Sequence, residues 1–235
     1  VWRWTAVARC AWQWLRTFAP VNRQPLLFYT YWRGGQTVAA VRHAAKHVDT
    51  AVVSRVHGYD LYDYAFARPF QPWTNAYQQL QRVIPIAQHG VDYLRQQGVP
   101  EERLWLSRLG VSRQPVRAAA SSDGALRLVS CSSISDVKRL PFTAQAIKAF
   151  ALNCPSLCIH WIHFGDGPER PLLEAELRTA PANLQVDLRG QVGNAEVIRH
   201  YATHPVDLFI LLSSREGLPV SIQEALSMGI PVLAT

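Results

Sequence analysis

The sequence predicts an α/β protein built from two Rossmann-like domains in tandem. Three observations predict it. Short apolar runs alternate with helix-like segments through both halves, which implies βαβ units and parallel sheets. Residues 113–125 are rich in Ser, Arg, Pro and Ala and end in Ser121-Ser122-Asp123-Gly124, a linker between two such halves. Charge also changes across that boundary. Residues 1–112 carry 13 Lys and Arg against 6 Asp and Glu and residues 113–235 carry 11 of each, so the whole net charge of +7 lies in the first half. A chain of 235 residues has room for two small domains.

The elements follow in order. Residues 1–18 hold four of the eight Trp and would make a basic, aromatic helix. That form suits a membrane interface. Trp2, Trp4, Trp12 and Trp14 do not share one stripe, so a core helix fits equally. Leu26 to Trp32 reads as a strand, Gln36 to Lys46 as a helix and Thr50 to Val56 as a second strand running into His57-Gly58-Tyr59-Asp60. Arg82 to Ala87 is a third strand, His89 to Gln97 a helix stopped by Gly98, and Leu104 to Val111 a short strand leading out. The domains expected are thus 1–112 and 126–235. In the second, strands are expected at Leu126–Cys131, Leu157–Phe164, Leu184–Leu188, Asp207–Leu212 and Pro231–Ala234. Helices are expected at Phe142–Leu152, Glu169–Arg178, Ala195–Tyr201 and Pro219–Met228.

Composition narrows the function. A basic first half suggests an anionic partner: a phosphorylated substrate, an anionic lipid or nucleic acid. Nucleic acid is disfavoured, because the basic residues are scattered with no recognisable binding module. No G-x-G-x-x-G follows any strand, which argues against a dinucleotide oxidoreductase. Cys10, Cys131, Cys154 and Cys158 lack C-x-x-C or disulfide-like spacing and suit reduced thiols in the cytoplasm. No apolar run approaches the roughly 18 residues that span a bilayer. There is no initiator Met, and the chain stops directly after a strand-like run. Both features suggest a fragment with both domains incomplete.

The most informative stretch is Ser213-Ser214-Arg215-Glu216-Gly217-Leu218-Pro219-Val220-Ser221-Ile222-Gln223-Glu224-Ala225. It follows the apolar run Val206–Leu212, a buried strand, and opens a helix with Pro219 at its first position and Gly229 as its stop. Glu216 therefore sits in a strand-to-helix turn and Glu224 on the helix. Free N–H donors and the positive dipole end of a helix start favour a phosphorylated ligand there. Gly217 lets such a ligand approach the backbone.

This segment, with Gly229-Ile230-Pro231-Val232-Leu233-Ala234-Thr235 after it, resembles the Glu-x7-Glu signature of family 4 retaining glycosyltransferases. Weaker likenesses occur in the expected order elsewhere: Ser54-Arg55-Val56-His57-Gly58-Tyr59-Asp60, Ser107–Val111, Val137-Lys138-Arg139, Gly165-Asp166-Gly167-Pro168 and Arg189-Gly190-Gln191-Val192. The resemblance implies the GT-B fold, two Rossmann-like domains with parallel sheets facing across a cleft. It implies transfer, with retention, of a hexosyl unit from a nucleotide-sugar to a hydroxyl acceptor in polysaccharide or glycolipid assembly. Glu216, His57 and Lys138 would be catalytic. Arg139, Gly165, Val192, Gly217, Leu218, Pro219, Val220 and Glu224 would bind the donor, with Asp60 on the acceptor side. Glu224 would accept from ribose hydroxyls, and Lys138 would stabilise the diphosphate leaving group. The family often places an Arg several residues before this Lys, where the sequence has Ser132 and Ser133; adjacent Arg139 is the substitute at hand.

No metal or cofactor is expected. The sequence has no Asp-x-Asp pair, and His160 and His163 fall on opposite faces of their strand. The implied partners are a nucleotide-sugar and a lipid-linked or polysaccharide acceptor. A cytoplasmic location is implied, with peripheral contact at the inner face of an anionic membrane. The alternative is a non-catalytic nucleotide-sugar-binding relative.

Overall fold

The computed structural model describes residues 2–18, 25–62 and 79–235, the side chains of residues 2–5 and 18 excepted. It divides into two compact units, Val1–Leu109 and Gly110–Thr235.

The first unit has a three-stranded parallel sheet of order β1 (Leu26–Thr30), β2 (Thr50–Val56), β3 (Arg82–Pro85). Helices α2 (Gly35–Ala44) and α4 (Gln88–Gln96) pack on one face, where Val52, Val56 and Val83 meet Ala40, Val41 and Leu94. Strict alternation along β2 explains its sequence. Thr50, Val52, Ser54 and Val56 are buried, while Ala51, Val53 and Arg55 on the other face are partly exposed. Helix α1 (Trp2–Phe18) lies along α2 and buries Leu15, while Trp14 stays half exposed and the Lys46 ammonium covers the Trp12 ring. No described helix is long and apolar enough to cross a membrane. A short helix, α3 (Gly58–Leu61), follows β2 directly.

One expected strand is corrected. Leu104 to Val111 forms no strand: Leu104 makes a lone bridge to Val83, and the Trp105 and Ser107 N–H groups reach the Val83 and Pro85 carbonyls. The ladder stops because β3 itself ends at Pro85. The first strand likewise ends at Thr30 rather than Trp32, which leaves Tyr31 and Trp32 free of the ladder.

The second unit is a five-stranded parallel sheet of order β6 (Leu184–Leu188), β5 (Ile159–Phe164), β4 (Leu126–Cys131), β7 (Leu208–Leu211), β8 (Val232–Ala234). The chain starts in the middle at β4, builds outward through β5 and β6, then returns to the other side of β4 for β7 and β8. The strand order therefore reverses between β4 and β7. Helices α5 (Leu140–Asn153) and α6 (Arg170–Leu177) cover one face, and α7 (Asn194–Thr203) and α8 (Val220–Ser227) the other. Strand β7 shows why the run was continuously apolar: Ile210 joins one face's core, and Phe209 and Leu211 join the other.

The expected linker is tied to this unit at its C-terminal part. Ala118 N–H bonds the Met228 carbonyl, and Ala119 accepts from Val206 N–H. The Asp207 carboxylate takes the Ser121 N–H and hydroxyl at 2.7 Å and the Arg127 N–H at 2.8 Å. Helix α8 starts one residue later than expected, with Pro219 as its N-cap. Its stop is as read: Gly229 has φ +78 and Ile230 N–H reaches back to the Ala225 carbonyl, closing a Schellman-type end.

Candidate functional site

In open parallel sheets ligands bind beyond the carboxyl ends of the strands, where the order reverses. In the second unit that point is flanked by the loop after β4, carrying Lys138 and Arg139, and the loop after β7, carrying Glu216. The structure joins them. Lys138 Nζ donates to Glu216 Oε1 at 2.5 Å, with the two side chains 23% and 19% exposed. The loops are also zipped through backbone, Ser214 N–H to the Val137 carbonyl at 2.8 Å.

Arg139 is engaged by main-chain carbonyls in the resting chain. It caps α5 in the left-handed region, φ 49, a conformation unusual outside glycine. Its Nε donates to the Leu212 carbonyl at 2.7 Å, and Nη2 reaches the Ser213 carbonyl and Thr235 Oγ1 at 3.2 Å. Through Nε and Nη2 the guanidinium fastens the end of β7.

Glu224 is held from another helix: Asn194 Nδ2, on the first residue of α7, donates to Glu224 Oε1 at 2.8 Å. Cys131, ending the central strand β4, lies within electrostatic reach of both Glu224 and Lys138. Burial first, then the negative charge of Glu224, pushes its thiol up to about 11, while the Lys138 ammonium acts in the opposite direction. The fully buried Tyr201 hydroxyl is also pushed well up, by burial and then by the Cys131 and Glu224 charges. Tyr201 Oη, Ser213 Oγ and Gln223 Nε2 are buried without a hydrogen-bond partner among the described residues. Orphaned polar atoms of this kind fit a site that meets a polar ligand. The sequence reading missed Asn194, Cys131 and Tyr201. Asn at a helix start reads as an ordinary cap, and the other two read as core.

The turn Glu216-Gly217-Leu218 leads into Pro219 and α8, whose first-turn N–H groups at Val220, Ser221 and Ile222 lack helical acceptors. Gly165 and Gly167 have a packing reason to be glycine. A Cβ on Gly165, φ +134, would lie 1.8 Å from the Ser132 carbonyl oxygen, and one on Gly167 would lie 2.4 Å from that of Ile134. The loops after β4 and β5 touch backbone to backbone here, with Ile134 N–H on the Asp166 carbonyl and Glu169 N–H on the Ile134 carbonyl. Val192 packs against the core shared by Tyr201 and Phe164. His160 and His163 face opposite sides, as expected. His163 is buried against Ser130 Oγ, and burial lowers its pKa to about 4. No cluster of metal-ligating side chains occurs among the described residues.

In the first unit, His57 and Asp60 lie together at the carboxyl end of β2. The Asp60 carboxylate accepts the His57 main-chain N–H at 2.6 Å and the Arg33 main-chain N–H at 2.5 Å, and the Arg33 guanidinium binds the Asp60 carbonyl. Asp60 thus pins the loop after β1 to the loop after β2. It supports His57 through backbone, not through the imidazole. Burial pushes its carboxyl up to about 6, against the pull of these hydrogen bonds. The His57 ring stacks on Trp32 with centroids 4.0 Å apart and meets Tyr31 at a tilt of 47°, centroids 4.8 Å apart. Burial, and then the Arg55 charge, lower its pKa to about 4, so the imidazole is neutral near pH 7.

Comparison with known proteins agrees with this architecture. Residues 125–235 match the family model described as glycosyl transferases group 1. The chain is 28% identical over 220 residues to the protein named colanic acid biosynthesis glycosyltransferase WcaL of Escherichia coli K12, covering 86% of this chain and 50% of that one. It thus spans about half the length of that relative. Among solved structures, the lipopolysaccharide outer core galactosyltransferase WaaB superposes with a TM-score of 0.70 at 15% identity, over 97% of this chain and 59% of that one. Pneumococcal O-GlcNAc transferase GtfA, solved with UDP and GlcNAc, gives 0.61 at 16% identity, over 84% of this chain and 39% of that one. Its two parallel-sheet units are of the GT-B class. The second half of the chain, residues 125–235, is thus similar to the group 1 glycosyl transferases.

Proposed function

We propose that this chain takes part in transferring a glycosyl unit from a nucleoside diphosphate-sugar to an acceptor hydroxyl, with retention, in polysaccharide or glycolipid assembly. The reaction balances as nucleotide-sugar plus acceptor hydroxyl giving glycosylated acceptor, nucleoside diphosphate and a proton. The observation that carries the reading is the Lys138–Glu216 contact at the point where the strand order of the second sheet reverses.

The barrier is departure of the diphosphate with build-up of positive charge at the anomeric carbon. Glu216 takes sugar hydroxyls. Lys138, held by Glu216 in the resting chain, turns to the diphosphate as negative charge grows there. N–H groups of the Gly217–Val220 turn and the start of α8 take phosphate oxygens. Glu224, oriented by Asn194, accepts from the ribose hydroxyls, and Val192 lies beside the base. The set of a cation, N–H donors and acceptor carboxylates suffices without a divalent ion, so we propose metal-independent transfer. A hexosyl donor is the reading favoured by names such as that of WaaB. His57 and Asp60 belong to the acceptor side in this reading.

The basic first half suits a phosphorylated, lipid-linked acceptor at the inner face of an anionic membrane, and hence a cytoplasmic, peripheral enzyme. Sedimentation with anionic against neutral liposomes tests this; equal partitioning counts against it. Catalysis itself is tested by incubating the protein with a nucleotide-sugar panel and sugar acceptors. Nucleoside diphosphate release with an α-to-α product in NMR supports the proposal. Binding without turnover would make the chain a nucleotide-sugar-binding relative instead.

A further inference from the structure

We infer that Tyr31 and Trp32, held at the carboxyl end of β1 against His57, form a stacking subsite for a pyranose ring of the acceptor. The inference rests on the glycosyl-transfer reading and adds the residues that recognise the acceptor and the ring chemistry they select.

Three features carry it. Tyr31 and Trp32 are 48% and 44% exposed, with Trp32 stacked on His57 and Tyr31 tilted against it, so aromatic surface of both stays open beyond the end of β1. Single exposed aromatics need no explanation, but two adjacent ones at a strand end are a patch. The geometry is also fixed from below. Asp60 bonds the N–H groups on both sides of the stack, at Arg33 and at His57, and the Arg55 guanidinium lies over the Tyr31 ring at 5.8 Å while its Nη2 donates to Ser107 Oγ. Long side chains pre-ordered in this way lose little entropy when a ligand docks.

The third feature is His57 itself. It is only 6% exposed, and neither ring nitrogen has a hydrogen-bond partner among the described residues. A neutral imidazole offers one donor and one acceptor, the two roles that a sugar hydroxyl complements. A pyranose has an apolar C–H face, which suits the electron-rich face of Trp or Tyr, and a hydroxyl rim, which suits the imidazole edge. A purely aliphatic ligand would leave the imidazole unanswered, and a linear polyol would leave the rings uncovered.

The test is saturation-transfer NMR with methyl pyranosides, and with glycerol as the acyclic control, on wild type, Trp32→Ala and Trp32→Phe. Nucleotide-sugar thermal shifts are recorded on the same samples. We expect pyranosides to bind wild type and glycerol not, Trp32→Ala to weaken binding at least roughly tenfold, and Trp32→Phe to retain most of it. The thermal shifts should be equal in all three. Pyranoside binding unchanged in Trp32→Ala, or absent from wild type, overturns the subsite. If no nucleotide-sugar shifts the wild type while pyranosides bind it through Trp32, the subsite stands and the transferase reading falls. Self-association that Trp32→Ala abolishes, without pyranoside binding, would make the patch an interface between copies and also overturn the proposal.

Discussion

Lys138 and Glu216, 78 residues apart in the chain, meet at 2.5 Å because β4 and β7 are neighbours at the one place where the second sheet reverses its order. Neither residue lies in a regular element. Each hangs from the loop beyond a central strand, and the backbone bond between Ser214 and Val137 keeps those loops in register. The pair is only about one-fifth exposed, so its attraction is less screened than that of a surface pair.

Replacing that cation should cost catalysis more than stability. A preorganised group facing developing charge is worth about 2.7–4 kcal/mol, or roughly 10²–10³ in rate. Lys138→Ala is expected to lower nucleoside diphosphate release by that factor while shifting the melting temperature by only a few degrees. Initial rates and a melting curve on the same preparation check it.

Asn194 should act through Glu224. Asn194→Ala leaves the carboxylate in place but removes the donor that orients it. We expect nucleotide Kd to rise roughly ten- to a hundredfold, as for one lost hydrogen bond to a charged group of about 1.5–3 kcal/mol. Asn194→Ala combined with Glu224→Ala should add little to Glu224→Ala alone; full additivity by calorimetry would show that the two act independently.

The glycines after β5 should be irreplaceable for packing reasons. Gly165→Ala meets a backbone oxygen at 1.8 Å and an unfavourable φ, whereas a Cβ on Gly193 meets nothing within 4 Å. Strain of about 1–3 kcal/mol or more is expected for the first, which is roughly 2–12 °C of melting temperature for a chain of this size. Gly193→Ala should melt close to wild type. Paired thermal denaturation curves decide.

Acid should weaken the second unit before its carboxylates titrate. His163 and His200 have folded pKa values of about 4, lowered mainly by burial from 6.5. Their neutral forms contribute stability that is present above pH 6.5 and is lost as pH falls from 6.5 toward 4. In the first unit His57 behaves the same way. Asp60, raised to about 6, opposes it by favouring the folded state as pH falls below 6. His163→Gln should therefore flatten the pH 6.5-to-4 decline in melting temperature, and Asp60→Asn should steepen it. An unchanged slope in both would contradict the assignment.

Much of the fold was legible because strands buried on both faces must be apolar throughout. Phe209, Ile210 and Leu211 alternate between two cores and still read as one run. The failure at Leu104–Val111 has an equally local cause: an apolar pattern says nothing about the length of the neighbour it pairs with, and β3 stops at Pro85. The Glu216–Glu224 turn was visible from its strand, glycine and proline. Of its partners, Lys138 was named only through the family resemblance and Asn194 not at all, since both reach the turn only through strand order. Arg139 read as an available cation, and the contacts of its Nε and Nη2 with the Leu212 and Ser213 carbonyls arise only from strand order. Trp32 looked like the end of a strand, and its stacking on His57 follows from where the β1 ladder stops.

The most direct measurement is a thermal-shift panel of UDP-, GDP-, ADP- and CDP-sugars on wild type and Glu224→Ala. One nucleotide class should raise the wild-type melting temperature by several degrees, and the variant should lose most of that rise. No shift with any nucleotide-sugar, or an equal shift in both proteins, would contradict the claim that the acids flanking α8 hold the donor.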